Sequence, residues 1–209
     1  MTRTLTALFD DFAEARTTVA ELEASGIPHS DISIVANNAG NRHSEHHHGE
    51  HHHSEAAEDA GKGAGIGGVL GGGAGLLAGL GLLAVPGLGP VVAAGWLAAT
   101  ATGAIAGAIA GGAAGGIVGA LTESGVDEDR AHVYAEGVRR GGTLVTVRTD
   151  EAHAATAEAI LNRDTVIDPD VRGRAYREQG WTGFDESAPA YTHEEIERER
   201  SIYSPTPRL

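Results

Sequence analysis

The sequence predicts an α+β fold interrupted by an all-α apolar helical hairpin. Strand–helix–strand patterns stand at both ends of the chain, and the two ends repeat one another. Between Lys62 and Glu123 there is no charged side chain at all.

Residues 1–35 supply the first unit. Thr4–Phe9 alternates as a strand does, and Asp10 or Asp11 provides a helix N-cap. Phe12, Ala15, Val19 and Leu22 then recur at helical spacing. Ser25-Gly26 ends that helix, Pro28 forbids its continuation, and Asp31–Val35 reads as a second strand. Residues 36–60 form a polar, histidine-rich loop that closes on an acidic stretch, Glu55–Asp59. Residues 61–122 are the apolar tract. Pro86, Gly87, Gly89 and Pro90 mark a turn at 86–90, where two ring-locked residues alternate with permissive ones. The limbs on either side, Gly63–Val85 and Val91–Leu121, both exceed the roughly 20 helical residues that cross a bilayer.

Residues 123–168 supply the second unit. Val126–Arg140 reads as an amphipathic helix capped by Asp127 and stopped by Gly141-Gly142. Thr143–Arg148 is a strand, Asp150–Leu161 a helix and Thr165–Ile167 a short strand. Residues 169–209 form a polar C-terminal tail in which Glu194–Arg200 is a short charged helix. Trp181, Phe184 and Tyr191 are its apolar anchors, suited to docking the tail on the domain or on a neighbour.

At one constant offset Thr4-Leu5 superimposes on Thr143-Leu144 and Asp11 on Asp150. The same offset matches Ala13, Ala15, Thr17, Ala20 and Leu22 to Ala152, Ala154, Thr156, Ala159 and Leu161. Two such halves make a ferredoxin-like split βαβ sheet, with the apolar hairpin inserted between them.

Ala7-Leu8-Phe9-Asp10-Asp11, Ser25-Gly26-Ile27 and Asp31–Val35 resemble the small general stress protein (heat-induced stress protein) domain of bacteria. Glu123-Ser124-Gly125-Val126 and Tyr134–Gly142 resemble the second half of its longer, glycine-zipper-containing relatives. The resemblance covers about Thr2–Val35 and Glu123–Ile167. It implies a stress-associated, non-enzymatic bacterial protein, and it includes neither the histidine loop nor the tail.

Two four-residue ladders run through the apolar tract: Gly63, Gly67, Gly71, Gly75 and Gly79, then Gly103, Gly107, Gly111, Gly115 and Gly119. A glycine inside a helix costs about 1 kcal/mol relative to alanine, so a ladder needs a compensating contact. Small residues four apart cut a groove in which a second helix backbone approaches closely, the packing device of helices in lipid. Two surroundings fit: a bilayer, or the interior of a soluble homo-oligomer. The near-absence of polar side chains favours the bilayer, because a solvated hairpin normally carries a polar stripe. A flexible glycine linker fits poorly, since leucine, isoleucine and valine recur throughout.

The remaining sequence offers little chemistry. The net charge of −14 opposes nucleic-acid binding, and no basic stripe compensates. There is no cysteine. Gly63–Gly68 fits a dinucleotide fingerprint on paper, yet no strand precedes it and no acid follows at the required distance. Asp127, Glu128 and Asp129 beside His132 read as a capped, solvated helix start. His43, His46, His47, His48, His51, His52 and His53 form the one ligand-rich cluster, able to take zinc, nickel or copper. It lacks the separated ligand pairs of a structural zinc site.

The expectation is therefore a non-enzyme with no resident cofactor and no small-molecule substrate. It inserts a glycine-zipper hairpin into the bacterial inner membrane, keeps both termini cytoplasmic and assembles with itself. The alternatives are a soluble cytoplasmic homo-oligomeric particle with its hairpins buried inside, and a metal-buffering protein using the histidine loop.

Overall fold

The computed structural model describes residues 2–43, 76–100, 116–163 and 165–203. It is an α+β fold around a five-stranded, wholly antiparallel sheet. In chain order the strands are β1 (Arg3–Phe9), β2 (Ile32–Asn37), β3 (Gly81–Val85), β4 (Gly89–Gly95) and β5 (Thr143–Thr149). The helices are α1 (Phe12–Ala24), α2 (Gly116–Glu123), α3 (Glu128–Arg139), α4 (Glu151–Leu161), α5 (Pro169–Glu178) and α6 (His193–Tyr203). The strand order is β1-β5-β2-β4-β3.

Local chemistry sets the element ends. Asp11 caps α1 by accepting from the Ala13 N–H at 2.6 Å, and Asp150 caps α4 by accepting from the His153 N–H at 3.0 Å. Helices α1 and α2 end alike, through Ser25-Gly26-Ile27 and Ser124-Gly125-Val126. In each the serine hydroxyl donates to a carbonyl three residues back at 2.7 Å, and the glycine turns left-handed, with φ of 94° and 95°.

The sheet is covered on both faces. On the first, Ala15, Val19 and Leu22 of α1 and Ala157 and Leu161 of α4 pack on Ile32, Ile34, Val145 and Val147. On the second, Ile117, Ala120 and Leu121 of α2 and Ala131, Ala135 and Val138 of α3 pack on Leu8, Val35, Leu144, Val91 and Ala93. The expected strand at Thr165–Ile167 is reduced to one bridge, Ile167 against Leu8.

The apolar tract departs most from expectation. Around its turn the described residues form a β-hairpin, β3–β4, where an all-α hairpin was expected across 61–122. The turn falls where the sequence puts it. The Leu88 N–H donates to the Val85 carbonyl at 3.1 Å, with Pro86 and Gly87 (φ 73°) between them. Proline followed by a left-handed glycine is the composition of a type II turn, and such a turn joins strands as well as helices. Its flanks, Leu82–Val85 and Val91–Ala94, are short, apolar and partly β-branched, and periodicity cannot tell a doubly buried strand from a helix. The sheet decides, because β4 pairs with β2 along Ser33–Asn37 and all four of Val91–Ala94 are buried. Pro90 sits near the start of β4, where its missing N–H costs no ladder bond, and its carbonyl accepts from the Asn38 N–H at 2.8 Å.

The tail is more structured than a polar extension. It contributes α5 and α6, and Phe184 enters the second core cluster.

Candidate functional site: the glycine tract and its clamp

Most ladder positions lie outside the described residues: Gly63, Gly67, Gly71, Gly75, Gly103, Gly107, Gly111 and Gly115. Two are described. Gly79 ends a 3-10 turn, Leu76–Gly79, and not an α-helical limb. Gly119 sits within α2, and its carbonyl accepts from the Thr122 hydroxyl at 2.9 Å. The tract enters the fold at Leu76, which is buried and whose N–H donates to the Glu23 carboxylate at 2.6 Å. Residues 96–100 are helical, and Gly116 opens α2.

Of the four turn residues the two glycines are covered, Gly87 buried and Gly89 half-buried, while Pro86 and Pro90 stay exposed. A Cβ on Gly87 would meet the Glu186 Cα at 2.8 Å and the Asp185 carbonyl and Phe184 ring at 2.9 Å. One on Gly89 would meet the Ala190 methyl at 2.7 Å, and one on Gly116 would strike the Glu186 carboxylate. Residues 184–190 therefore lie directly on the glycine backbone, over both the hairpin turn and the start of α2. Burial raises the pKa of Glu186 at that contact. Leu88 at the turn is fully buried. These residues close a β-hairpin, where the turn of a helical hairpin was expected.

What holds the clamp down is a charged cluster that sequence reading passes over. Glu136 on α3 is 0 % exposed, and accepts from Arg140 Nε at 2.6 Å and Arg139 Nη1 at 3.3 Å. Arg140 Nη1 donates onward to Gln179 Oε1 at 2.7 Å and to Glu199 Oε2 on α6 at 2.9 Å. The Arg140 guanidinium lies 4.2 Å from the Tyr176 ring centre, and that of Arg139 4.8 Å from the Tyr191 ring centre. Arg139 also donates to the Pro189 carbonyl at 3.0 Å. Burial pulls the Arg140 pKa down, but the hydrogen bond and charge of Glu136 and the hydrogen bond of Glu199 outweigh it, and the net shift is upward. At the far end Arg172 on α5 grips Asp10 with two bonds, 3.0 and 2.7 Å, and stacks 3.9 Å from the Tyr203 ring centre. The one signal in the sequence is the Arg139-Arg140 pair facing a tail rich in tyrosine and glutamate.

The other candidates separate. His43 stacks on Phe12 with ring centres 4.1 Å apart, while His46, His47, His48, His51, His52 and His53 lie outside the described residues. Among the described residues no group of histidine and carboxylate side chains is placed to hold a metal. Asp127 caps α3 through the Arg130 N–H at 3.2 Å, and His132 Nδ1 accepts from the Phe184 N–H at 3.1 Å, so both serve structure. A cleft of about 470 Å³ opens beside β1, between α3 and the loop after α4. Its rim is closed by the Arg130–Asp170 ion pair at 2.9 Å, and on its floor burial lifts the Tyr134 hydroxyl to about 12. Among the described residues no helix is long and apolar enough to cross a membrane.

Comparison of the chain with protein-family models, with curated proteins and with solved structures finds no match.

Proposed function

We propose that the chain is a non-enzymatic structural protein that assembles with itself through its glycine ladders, carried on a ferredoxin-like core. The order β1-β5-β2, with α1 and α4 on one face and Ile167 against β1, supports two interlocked strand–helix halves. The association with stress rests on the family resemblance described above.

The observation that carries the reading is the clamped hairpin. By building residues 76–95 into the domain and laying 184–190 over Gly87 and Gly89, the fold fixes the points at which the laddered segments 63–75 and 101–115 join it, at Leu76, Thr100 and Gly116. Each is free of charge and rich in small residues, so its stable surroundings are another such segment or lipid. With Leu76–Gly79 in a 3-10 turn and Gly81–Val85 in the sheet, Gly63–Val85 is not one continuous helix of the roughly 20 residues a crossing needs. That favours packing between copies over a hairpin crossing with its tip at 86–90.

The test is the mass of the purified full chain with and without detergent, beside carbonate washing of membranes. A discrete large particle that needs no detergent, and that shrinks when Gly71 and Gly111 are replaced by leucine, is the expected result. Retention in the washed membrane pellet supports the bilayer arrangement instead. A monomer at all concentrations overturns both.

A further inference from the structure

Both outer strands of the sheet are edges, and the fold treats them differently. On β1 the Leu8 carbonyl accepts from the Ile167 N–H at 2.8 Å, the Tyr134 hydroxyl reaches the Thr6 carbonyl at 3.4 Å, and Arg3 pairs with Glu158 at 2.6 Å. Charge, a bridge and an overhanging ring all blunt that edge, as natural sheets do to avoid pairing with one another. Among the described residues none of these devices meets β3. Its residues are Gly81, Leu82, Leu83, Ala84 and Val85, with neither charge nor proline.

The direction of its main-chain groups follows from the hairpin. The Pro90 carbonyl bonds towards β2, through the Asn38 N–H, and Pro90 stands opposite Ala84. Groups on directly opposed residues of an antiparallel pair point either towards each other or both away. The N–H and C=O of Ala84 therefore point off the sheet, and by alternation so do those of Leu82 opposite Val92. No described residue bonds them. The Leu82 side chain beside them is 60 % exposed, the most exposed of the large hydrophobic residues described.

We infer that β3 is the pairing edge for a second copy of this chain, joined antiparallel to its β3 so that two sheets become one. The strand is self-complementary. Centring the pair on Leu83 sets Leu82 opposite Ala84 of the copy and Ala84 opposite its Leu82. Each pair exchanges two main-chain hydrogen bonds, and the bulkier side chain faces the smaller. Charge selects the same partner. A chain of net charge −14 repels its copies except where its surface is neutral, and β3 lies inside the charge-free stretch between Lys62 and Glu123. Five residues a side fall short of the roughly 800 Å² per partner of a stable interface. The edge therefore works together with the ladders and rests on the self-assembly reading, giving that assembly a register and a two-fold axis.

Sedimentation of the full-length protein and hydrogen exchange at the Leu82 and Ala84 amides test this in four forms. These are the wild type, Leu82→Lys, Ala84→Pro and the Gly71→Leu/Gly111→Leu double variant. Both edge changes fall on exposed strand positions that make no bond to β4, and circular dichroism checks that each variant folds. In the assembled wild type the two amides exchange about tenfold more slowly or more, and protection is lost on dilution. Leu82→Lys and Ala84→Pro each cut the particle mass to half or less and abolish the protection of the amides that remain, both of them in Leu82→Lys and that of Leu82 in Ala84→Pro. Assembly unchanged in both edge variants, but lost in the glycine double variant, overturns the edge pairing and keeps the ladders. Loss in the edge variants with the glycine double variant unaffected does the reverse. Protection that persists in a monomer shows the edge covered by its own chain and also overturns the inference.

Discussion

The two faces of the sheet are sealed by different physics. Under α1 and α4 the contact is Ala15, Val19, Leu22, Ala157 and Leu161 on valine and isoleucine, and the ion pairs, Arg163–Glu21 and Arg3–Glu158, stay at the periphery. On the opposite face α3 is buried nearly all round: Ala131, Ala135 and Val138 meet the sheet side, while Glu136 and Arg140 meet the tail. Non-directional burial tolerates substitution and registers nothing but volume. A buried ion cluster demands one arrangement of α3, α5 and α6, and so fixes where residues 184–190 lie on the glycine tract. The second face is thus the one built to hold a particular geometry.

The largest effect should come from breaking that cluster. Glu136→Ala leaves the Arg140 guanidinium buried with Glu199 and Gln179 but without its shortest partner, and should cost about 3–5 kcal/mol. Leu22→Ala on the first face should cost about 2–5 kcal/mol through transfer and cavity terms. The distinction lies in what else changes. Urea denaturation followed by tryptophan fluorescence should show Glu136→Ala loosening the Trp181 side ahead of the sheet. Leu22→Ala should lower a single transition. Coincident loss in both variants would remove the difference between the faces.

That contrast also explains what the sequence made legible. The first face announces itself through paired caps at Asp11 and Asp150 and through helical spacing of Ala15, Val19 and Leu22. The strands β3 and β4 do not, because Leu82–Val85 and Val91–Ala94 offer an unbroken apolar run with no alternation to read. Their identity comes from pairing with β2, a contact between residues far apart in the chain. Glu136, Arg139 and Arg140 look like the wet side of an amphipathic helix. Only the tail, folded back as α5 and α6, supplies the partners that let them be buried.

Alkali should act on the second face selectively. Tyr134 on α3 has its hydroxyl raised to about 12, chiefly by burial, and burial also raises Tyr176. An unfolded tyrosine ionises near 10. Below that value both states are protonated, and the full stability is present. As the pH climbs from about 10 to about 12, the unfolded chain releases the proton first, so stability falls by about 2 kcal/mol for Tyr134 alone. Urea midpoints measured across that range should decline in the wild type and decline less in Tyr134→Phe. Equal slopes would mean that Tyr134 is wetter than its burial implies.

The smallest expected effect compares the two halves of the repeat on the first face. Asp11 and Asp150 each satisfy free N–H groups at a helix start, and replacing either by alanine should lower the thermal midpoint slightly. They differ in one respect: Asp150 also meets His153 Nδ1 at 2.8 Å, which holds its carboxyl below the usual range. A carboxyl held below its ordinary value gives stability that is present above the unfolded pKa of about 4 and is lost as the pH falls through the folded one. The cost of Asp150→Ala should therefore shrink on acidification. Thermal midpoints of the wild type and of Asp150→Ala at about pH 3 and about pH 7 decide it. A cost that is the same at both values means that the bonds from His153 do not hold α4.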